Sequence, residues 1–119
     1  MSNSNNSDFY IPKKGDIIWI NFNPQSGREQ AGRRPALVVS SSRYNRLVGL
    51  ALVCPITTKV KGFMFEIPIP EGLEISGVVL ADQVKSLDYK KRRAEFACQM
   101  PDEILMQVIT AINRLMREV

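Results

Sequence analysis

Histidine is absent from this 119-residue chain. That one absence removes the imidazole acid–base pairs of many nucleases, the Ser-His-Asp triad and the usual zinc sites. Cysteine is scarce too: Cys54 and Cys98 are the only two, and they form no Cys-x-x-Cys pair. Both lie among apolar neighbours (Leu52 and Val53; Phe96 and Ala97) and read as small core residues. The twelve Asp and Glu residues are scattered, and no cluster resembles a two-metal nuclease centre. Neither Gly-x-x-x-x-Gly-Lys-Ser/Thr nor Gly-x-Gly-x-x-Gly occurs, so nucleotide-cofactor folds have no support. No run approaches the ~20 apolar residues of a membrane span, and residues 1–8 hold no apolar leader segment. The expectation is a soluble cytoplasmic protein. If it is an enzyme, it works without metal or cofactor, through carboxylate, guanidinium and hydroxyl groups.

What is present describes one globular domain. A 45% hydrophobic content with 24% charged residues is enough for a real core. The net charge of +4 mildly favours a polyanionic partner such as nucleic acid. Residues 1–8, including the run SNSNNS, read as a disordered polar tail, leaving residues 9–119 as the domain.

Residues 16–22 (DIIWINF) are apolar, β-branched and bounded by Gly15 and Pro24, which predicts a strand. Residues 23–34 hold Pro24, Gly27 and Gly32 among charges without periodicity, and form a long loop. Residues 35–40 and 49–56 are nearly continuous apolar runs, consistent with buried strands joined through a turn of helix at 41–47. Two further strands are expected at 63–69 and 77–84, and a short one at 93–98. Pro101 and Asp102 open a helix whose residues Ile104, Leu105, Val108, Ile109, Ile112, Leu115 and Met116 repeat along one face. The fold class is mainly β (α+β), five or six short strands in a small barrel or strongly bent sheet with an amphipathic C-terminal helix.

The densest chemistry lies in Gly27-Arg28-Glu29-Gln30-Ala31-Gly32-Arg33-Arg34-Pro35, one carboxylate among three guanidiniums. RNA can be cut by its own 2′-hydroxyl attacking the adjacent phosphate. That route needs a base, which Glu29 can be, and positive charge on the transition state, which Arg28 or Arg34 can supply bidentately. Arginine hardly deprotonates, so the acid for the leaving oxygen has no assignment. Spacing alone favours a plainer reading, a solvated loop with weak surface ion pairs. A second basic stretch spans 85–93, with Lys90, Lys91, Arg92 and Arg93 consecutive. It could track a phosphate backbone, with Tyr89 stacking on a base, but a solvated turn accounts for it better. Lys59 and Lys61 follow Thr57, whose hydroxyl could bind phosphate or cap its own turn. Asp82 interrupts an apolar run and needs either a basic partner or a role in a site. Trp19 reads as core.

Taken together these segments resemble the MazF/PemK family of toxins, the MazF branch most closely. The resemblance rests on Gly15-Asp16-Ile17-Ile18-Trp19, the Gly27-Arg28-Glu29-Gln30-Ala31-Gly32-Arg33-Arg34-Pro35-Ala36 block, Cys54-Pro55-Ile56-Thr57-Thr58, Lys61-Gly62-Phe63 and Gly77-Val78-Val79-Leu80-Ala81-Asp82-Gln83-Val84-Lys85-Ser86. In that order and spacing the blocks are specific, and they favour a functional Glu29. The resemblance implies an SH3-like barrel of the CcdB/PemK/MazF type with a C-terminal helix, acting as a homodimer. It implies metal-independent, sequence-specific cleavage of single-stranded RNA to 2′,3′-cyclic phosphate and 5′-hydroxyl ends. It implies inhibition by a cognate MazE-like antitoxin whose acidic tail covers the basic groove. Glu29 and Arg34 match the family's catalytic pair and Thr57 its phosphate-binding threonine. Arg28, Thr58, Lys61, Asp82, Gln83 and Lys85 are the further substrate-binding positions implied. Some PemK-type members use a carboxylate at the Asp82 position together with an arginine two residues earlier. This chain has Leu80 there, which argues against direct catalysis by Asp82. Some relatives carry His where this chain has Arg28, an exchange that removes a proton shuttle. Two other readings compete: a non-enzymatic, CcdB-like gyrase poison of the same fold, and a plain nucleic-acid-binding barrel. Neither has a use for the Glu29–Arg34 block.

Overall fold

Alternation in β1 (Asp16–Asn21) divides the interior in two. Ile17 points to one face of the sheet, and Ile18 and Ile20 to the other, because successive strand side chains point to opposite faces. The structure is a computed structural model that describes residues 9–22 and 32–117. The expected polar tail and, within the long loop, Arg28 and Glu29 lie outside the described residues.

Among the described residues seven strands form one antiparallel sheet, six of them in the order β4-β5-β3-β2-β1-β7 and the seventh, β6, beside β3. They are β1, β2 (Arg33–Val38), β3 (Ala51–Thr57), β4 (Glu66–Pro68), β5 (Val78–Leu80), β6 (Lys85–Leu87) and β7 (Glu95–Gln99). β3 is the hinge of the sheet. Along one edge it pairs β2; along the other, Ala51, Leu52 and Val53 pair β6, and Ile56 and Thr57 pair β5. Sharing one strand between two partners bends the sheet strongly, as the short, closely spaced strands predict. A 3-10 turn, Ala81–Gln83, joins β5 to β6.

One face packs Ile17, Leu37, Cys54, Ile56 and Val79 against Leu105 and Val108 of the C-terminal helix α2 (Asp102–Leu115). The other encloses Ile18, Ile20, Ala36, Val38, Val53, Leu87 and Tyr89. Pro101 stands at the N-cap of α2, and Asp102 and Glu103 place negative charge in its first turn, where the helix dipole favours it. The predicted apolar face holds from Ile104 to Ile112; Leu115 and Met116 run past the sheet and are exposed.

Helix α1 (Ser42–Val48) is capped by the Ser41 hydroxyl, which accepts from the Tyr44 N–H at 3.2 Å. It closes on Gly49 in the left-handed region, φ 81°, whose N–H donates to the Asn45 carbonyl. Asn45 is fully buried and ties α1 to its surroundings. Its amide donates to the Pro12 carbonyl at 2.8 Å, its Oδ1 accepts from the Ser40 hydroxyl, and its carbonyl accepts from the Tyr89 hydroxyl at 2.8 Å.

Four expectations are corrected. The basic stretch 85–93 is not a turn throughout, because its first three residues pair with β3 as strand β6. The strand expected at 63–69 shrinks to Glu66–Pro68, because Phe63 and Met64 are exposed and have no partner strand. Tyr89 is not available for stacking on a base, since it is 2% exposed in the second core. Trp19 is not core: it stands 38% exposed on the opposite side of β1 from Ile18 and Ile20.

Candidate active site

Arg33 and Arg34 are adjacent in β2 and point to opposite faces, so the fold separates their roles. Arg33 is consumed by structure. It pairs with Glu95 of β7 and donates to the Asn21 side chain at 3.2 Å and the Arg93 carbonyl at 2.9 Å. Arg34, half-buried, borders a cleft of about 410 Å³ whose other walls include Thr57, Lys59, Lys61, Asp82 and Gln83. Segments from β2, the end of β3, the loop that follows and the 3-10 turn converge there. Five positions singled out in the sequence, Arg34, Thr57, Lys61, Asp82 and Gln83, thus share one cavity.

Thr57 is held in place from both sides. Its hydroxyl accepts from the Lys59 N–H at 3.1 Å, the turn-capping bond expected of a strand-end threonine. Accepting one bond leaves the O–H itself to donate, for instance to a phosphate oxygen. Behind it sits Gly77, φ +119°, where a Cβ would lie 2.3 Å from the Thr57 carbonyl oxygen. Only glycine permits that approach of the β5 lead-in to the end of β3.

Glu66, largely buried, organises the cationic loop. Its carboxylate accepts from the Lys61 N–H at 3.1 Å and the Gly62 N–H at 2.9 Å, which fixes Lys61 at the rim. Asp82 also faces the cleft, and among the described residues it makes no ion pair. Burial pushes its carboxyl up, its own backbone N–H holds it down, and the Glu66 charge adds to the rise. Gln83 presents a buried Oε1 with no hydrogen-bond partner among the described residues, an acceptor at the cleft wall.

Other positions fall elsewhere. Thr58 borders a second, smaller cavity of about 260 Å³ that shares Arg34 and Thr57 with the first. Lys85 is not among the residues lining either cavity; its Nζ lies 5.9 Å from the Phe22 ring centroid. Lys90, Lys91, Arg92 and Arg93 form a turn away from both cavities. Asp88 Oδ1 caps it by accepting from the Lys91 N–H, and Arg92 donates to the Asn21 carbonyl at 3.2 Å. Phe63, Phe65, Glu66 and Leu80 line this cleft without having been singled out as site residues, although Phe63 and Leu80 belong to the motifs. The one available signal was Gly62, φ +83°, which marks a tight turn next to Lys61. Among the described residues no group of three or more Cys, Asp or Glu is placed to hold a metal.

The cleft is lined by guanidinium, ammonium and hydroxyl donors together with amide and carboxylate acceptors. It suits a phosphodiester flanked by groups that donate hydrogen bonds. Residues 13–116 match the family described as PemK-like, MazF-like toxin of type II toxin-antitoxin system. The chain is 44% identical over 106 residues to the endoribonuclease toxin MazF of Escherichia coli K12, covering 89% of this chain and 95% of that protein. It superposes on the crystal structure of MazF from Deinococcus radiodurans with a TM-score of 0.87 at 47% identity, covering 90% of this chain and 97% of that one. A MazE-MazF structure from the same organism matches with a TM-score of 0.80 at 42% identity, over 90% and 96% of the two chains. The mainly-β fold, the converging cleft and these likenesses agree: the chain belongs to the PemK-like, MazF-like toxin family of type II toxin–antitoxin systems.

Proposed function

We propose that this chain is the toxin of a toxin–antitoxin pair and an endoribonuclease that cuts single-stranded RNA at the Arg34–Thr57 cleft. The observation that carries the reading is the meeting of Arg34, Thr57 and Lys61 around one cavity, from segments far apart in sequence. A phosphate there receives a bidentate guanidinium, a hydroxyl donor and nearby ammonium charge, donors aimed where negative charge develops. Glu29, a few residues ahead of β2 in the sequence, takes the proton of the 2′-hydroxyl. The 2′-oxygen bonds to phosphorus, the bond to the 5′-oxygen breaks, and that oxygen leaves after taking a proton. The products are a 2′,3′-cyclic phosphate and a 5′-hydroxyl. Without histidine in the chain, the proton comes from a group other than imidazole. Arg28, Thr58, Gln83 and Lys85 complete the RNA contacts, and Asp82 binds rather than reacts, since Leu80 stands where a catalytic carboxylate's arginine partner would be.

The relatives support the same reading: two from Escherichia coli are endoribonuclease toxins by name, and the similar MazF of Deinococcus radiodurans is crystallised with MazE. A MazE-like antitoxin with an acidic tail is accordingly the proposed inhibitor, competing with RNA for the basic residues of the cleft. A homodimer is the proposed working form. The exposed apolar side chains of Met64, Met106, Leu115 and Met116 supply surface of the kind a second copy covers. No helix among the described residues is long and apolar enough to cross a membrane, and the cytoplasm, where mRNA is translated, is the proposed site of action. A CcdB-like gyrase poison would have no use for the convergent cations.

The test is incubation of antitoxin-free protein with end-labelled single-stranded RNA in EDTA. Cleavage to cyclic-phosphate ends is expected, with Glu29→Gln and Arg34→Ala each losing at least ~100-fold in rate. Intact RNA from folded wild-type protein rejects the reading, and gyrase-dependent DNA breaks would replace it with the gyrase-poison one.

A further inference from the structure

Arg34 and Thr57 border two cavities, not one, and the second is the smaller space beneath Trp19. Its walls are Trp19 of β1, Pro35 of β2, Ile56 and Thr58 on β3, and the Glu74–Ser76 segment ahead of β5. Trp19 pairs with Pro35 across β1 and β2, and Ala36 pairs with Pro55 across β2 and β3. Trp19 therefore stands two strand spacings, about 10 Å, from the end of β3. A group held at Arg34 and Thr57 thus has an indole platform within one nucleotide's reach.

The platform is unusual in its setting. Trp19 is the single tryptophan of the chain and lies between residues that are fully buried, yet it is 38% exposed. A large flat aromatic presented to solvent in a cleft, with Pro35 beside it and polar groups from Glu74 and Ser76 at the rim, has the makings of a base-stacking site. Stacking on an aromatic face accepts any base, and polar groups at the edge select among them.

We propose that the Trp19 cavity is a nucleobase subsite, holding the base of a nucleotide next to the reacting phosphate by stacking on the indole. The proposal rests on the ribonuclease reading of the cleft. It makes Arg34 and Thr57 the ridge over which the strand passes, with one neighbouring nucleotide in the Trp19 cavity and the other towards Gln83.

Because Trp19 is the only indole, its fluorescence reports this cavity directly. The probe is an oligonucleotide spanning a mapped cut site, with a 2′-deoxy sugar at the cut position so that the nucleophile is missing. Binding is followed in parallel by anisotropy of a dye on the oligonucleotide and by tryptophan emission. Emission is expected to be quenched with the same midpoint as the anisotropy. On cleavable RNA, Trp19→Ala is expected to raise KM about tenfold with little change in kcat, and Trp19→Phe to keep most of the wild-type affinity. Unchanged emission at saturating oligonucleotide overturns the proposal, and so does wild-type KM in Trp19→Ala. Emission already that of a buried indole, shielded from acrylamide in the RNA-free protein, also overturns it by showing that a second copy covers the cavity. RNA cleaved with Trp19 silent sinks this subsite alone, whereas RNA left uncut by the wild type sinks the ribonuclease reading as well.

Discussion

Cys54 shows how one buried side chain couples the core to the cleft. It is a fully buried residue of β3, and burial, reinforced by the nearby Asp82 charge, pushes its thiol from the ordinary 9.0 up to about 12. The native state therefore holds this proton more tightly than the unfolded chain does. Stability from the group is complete below the ordinary thiol value and is lost as pH rises from there through about 12. Tyrosines and lysines titrate in the same range, so the informative quantity is a difference. Urea unfolding of wild type and Cys54→Ala is expected to show a stability gap that narrows between pH 9.0 and 12. A gap independent of pH would contradict it. Chemistry offers a second check. At pH 8 a disulfide reagent is expected to label Cys98, which is only half-buried, well before Cys54 in the folded protein. Equal labelling rates would mean that Cys54 is more accessible than its packing allows.

At the scale of elements, the Asn45 network decides whether α1 stays on the sheet. The side chain bonds Pro12 and Ser40, and the Ser40 hydroxyl in turn accepts from the Leu52 N–H at 2.9 Å at the start of β3. Asn45→Leu strands a buried carbonyl and a hydroxyl, at a cost of about 2–4 kcal/mol. Tyr89→Phe removes one bond to the Asn45 carbonyl, which the Gly49 N–H still satisfies, for about 1 kcal/mol. Thermal melts should rank the variants in that order, and a larger loss in Tyr89→Phe would show that the network is wrongly apportioned. The same scale shows what a sequence can and cannot disclose. β1, β2, β3 and α2 were readable because long apolar or 3.6-periodic runs leave few alternatives. β6 was not, since Lys85, Ser86 and Leu87 carry no strand pattern and become one only by pairing with β3. Trp19 was misplaced through its hydrophobicity, although its position between Ile18 and Ile20 in a strand already put it on the other face. Tyr89 was misplaced the other way, its lysine neighbours suggesting solvent while its ring fills the second core. The cleft was legible as a set of motifs, whereas its geometry depended on long-range pairing. Nothing local predicts that Arg33 would be taken up by Glu95 while Arg34 faces the cleft.

For the whole molecule the question is which of its sixteen basic residues act on the reacting phosphate and which act only through the general field. Arg34 borders the cleft from which Thr57 and Lys61 also reach, and charge there is partly screened from water. Lys90 is exposed on the β6–β7 turn with its Nζ 4.4 Å from the Phe9 ring centroid, in neither cavity. Its contribution to RNA is long-range attraction, which salt screens over about 8 Å at physiological ionic strength. Arg34→Ala is therefore expected to cost at least ~100-fold in kcat/KM at any salt concentration, because it removes a donor to developing charge. Lys90→Ala should cost no more than about threefold at low salt, and less as salt rises. Measuring kcat/KM of both variants from 50 to 300 mM salt separates the two modes by slope as well as by size. Equal losses, or a Lys90 effect that persists at high salt, would place the basic turn against the substrate and require the strand to leave the Arg34–Thr57 ridge by a different route.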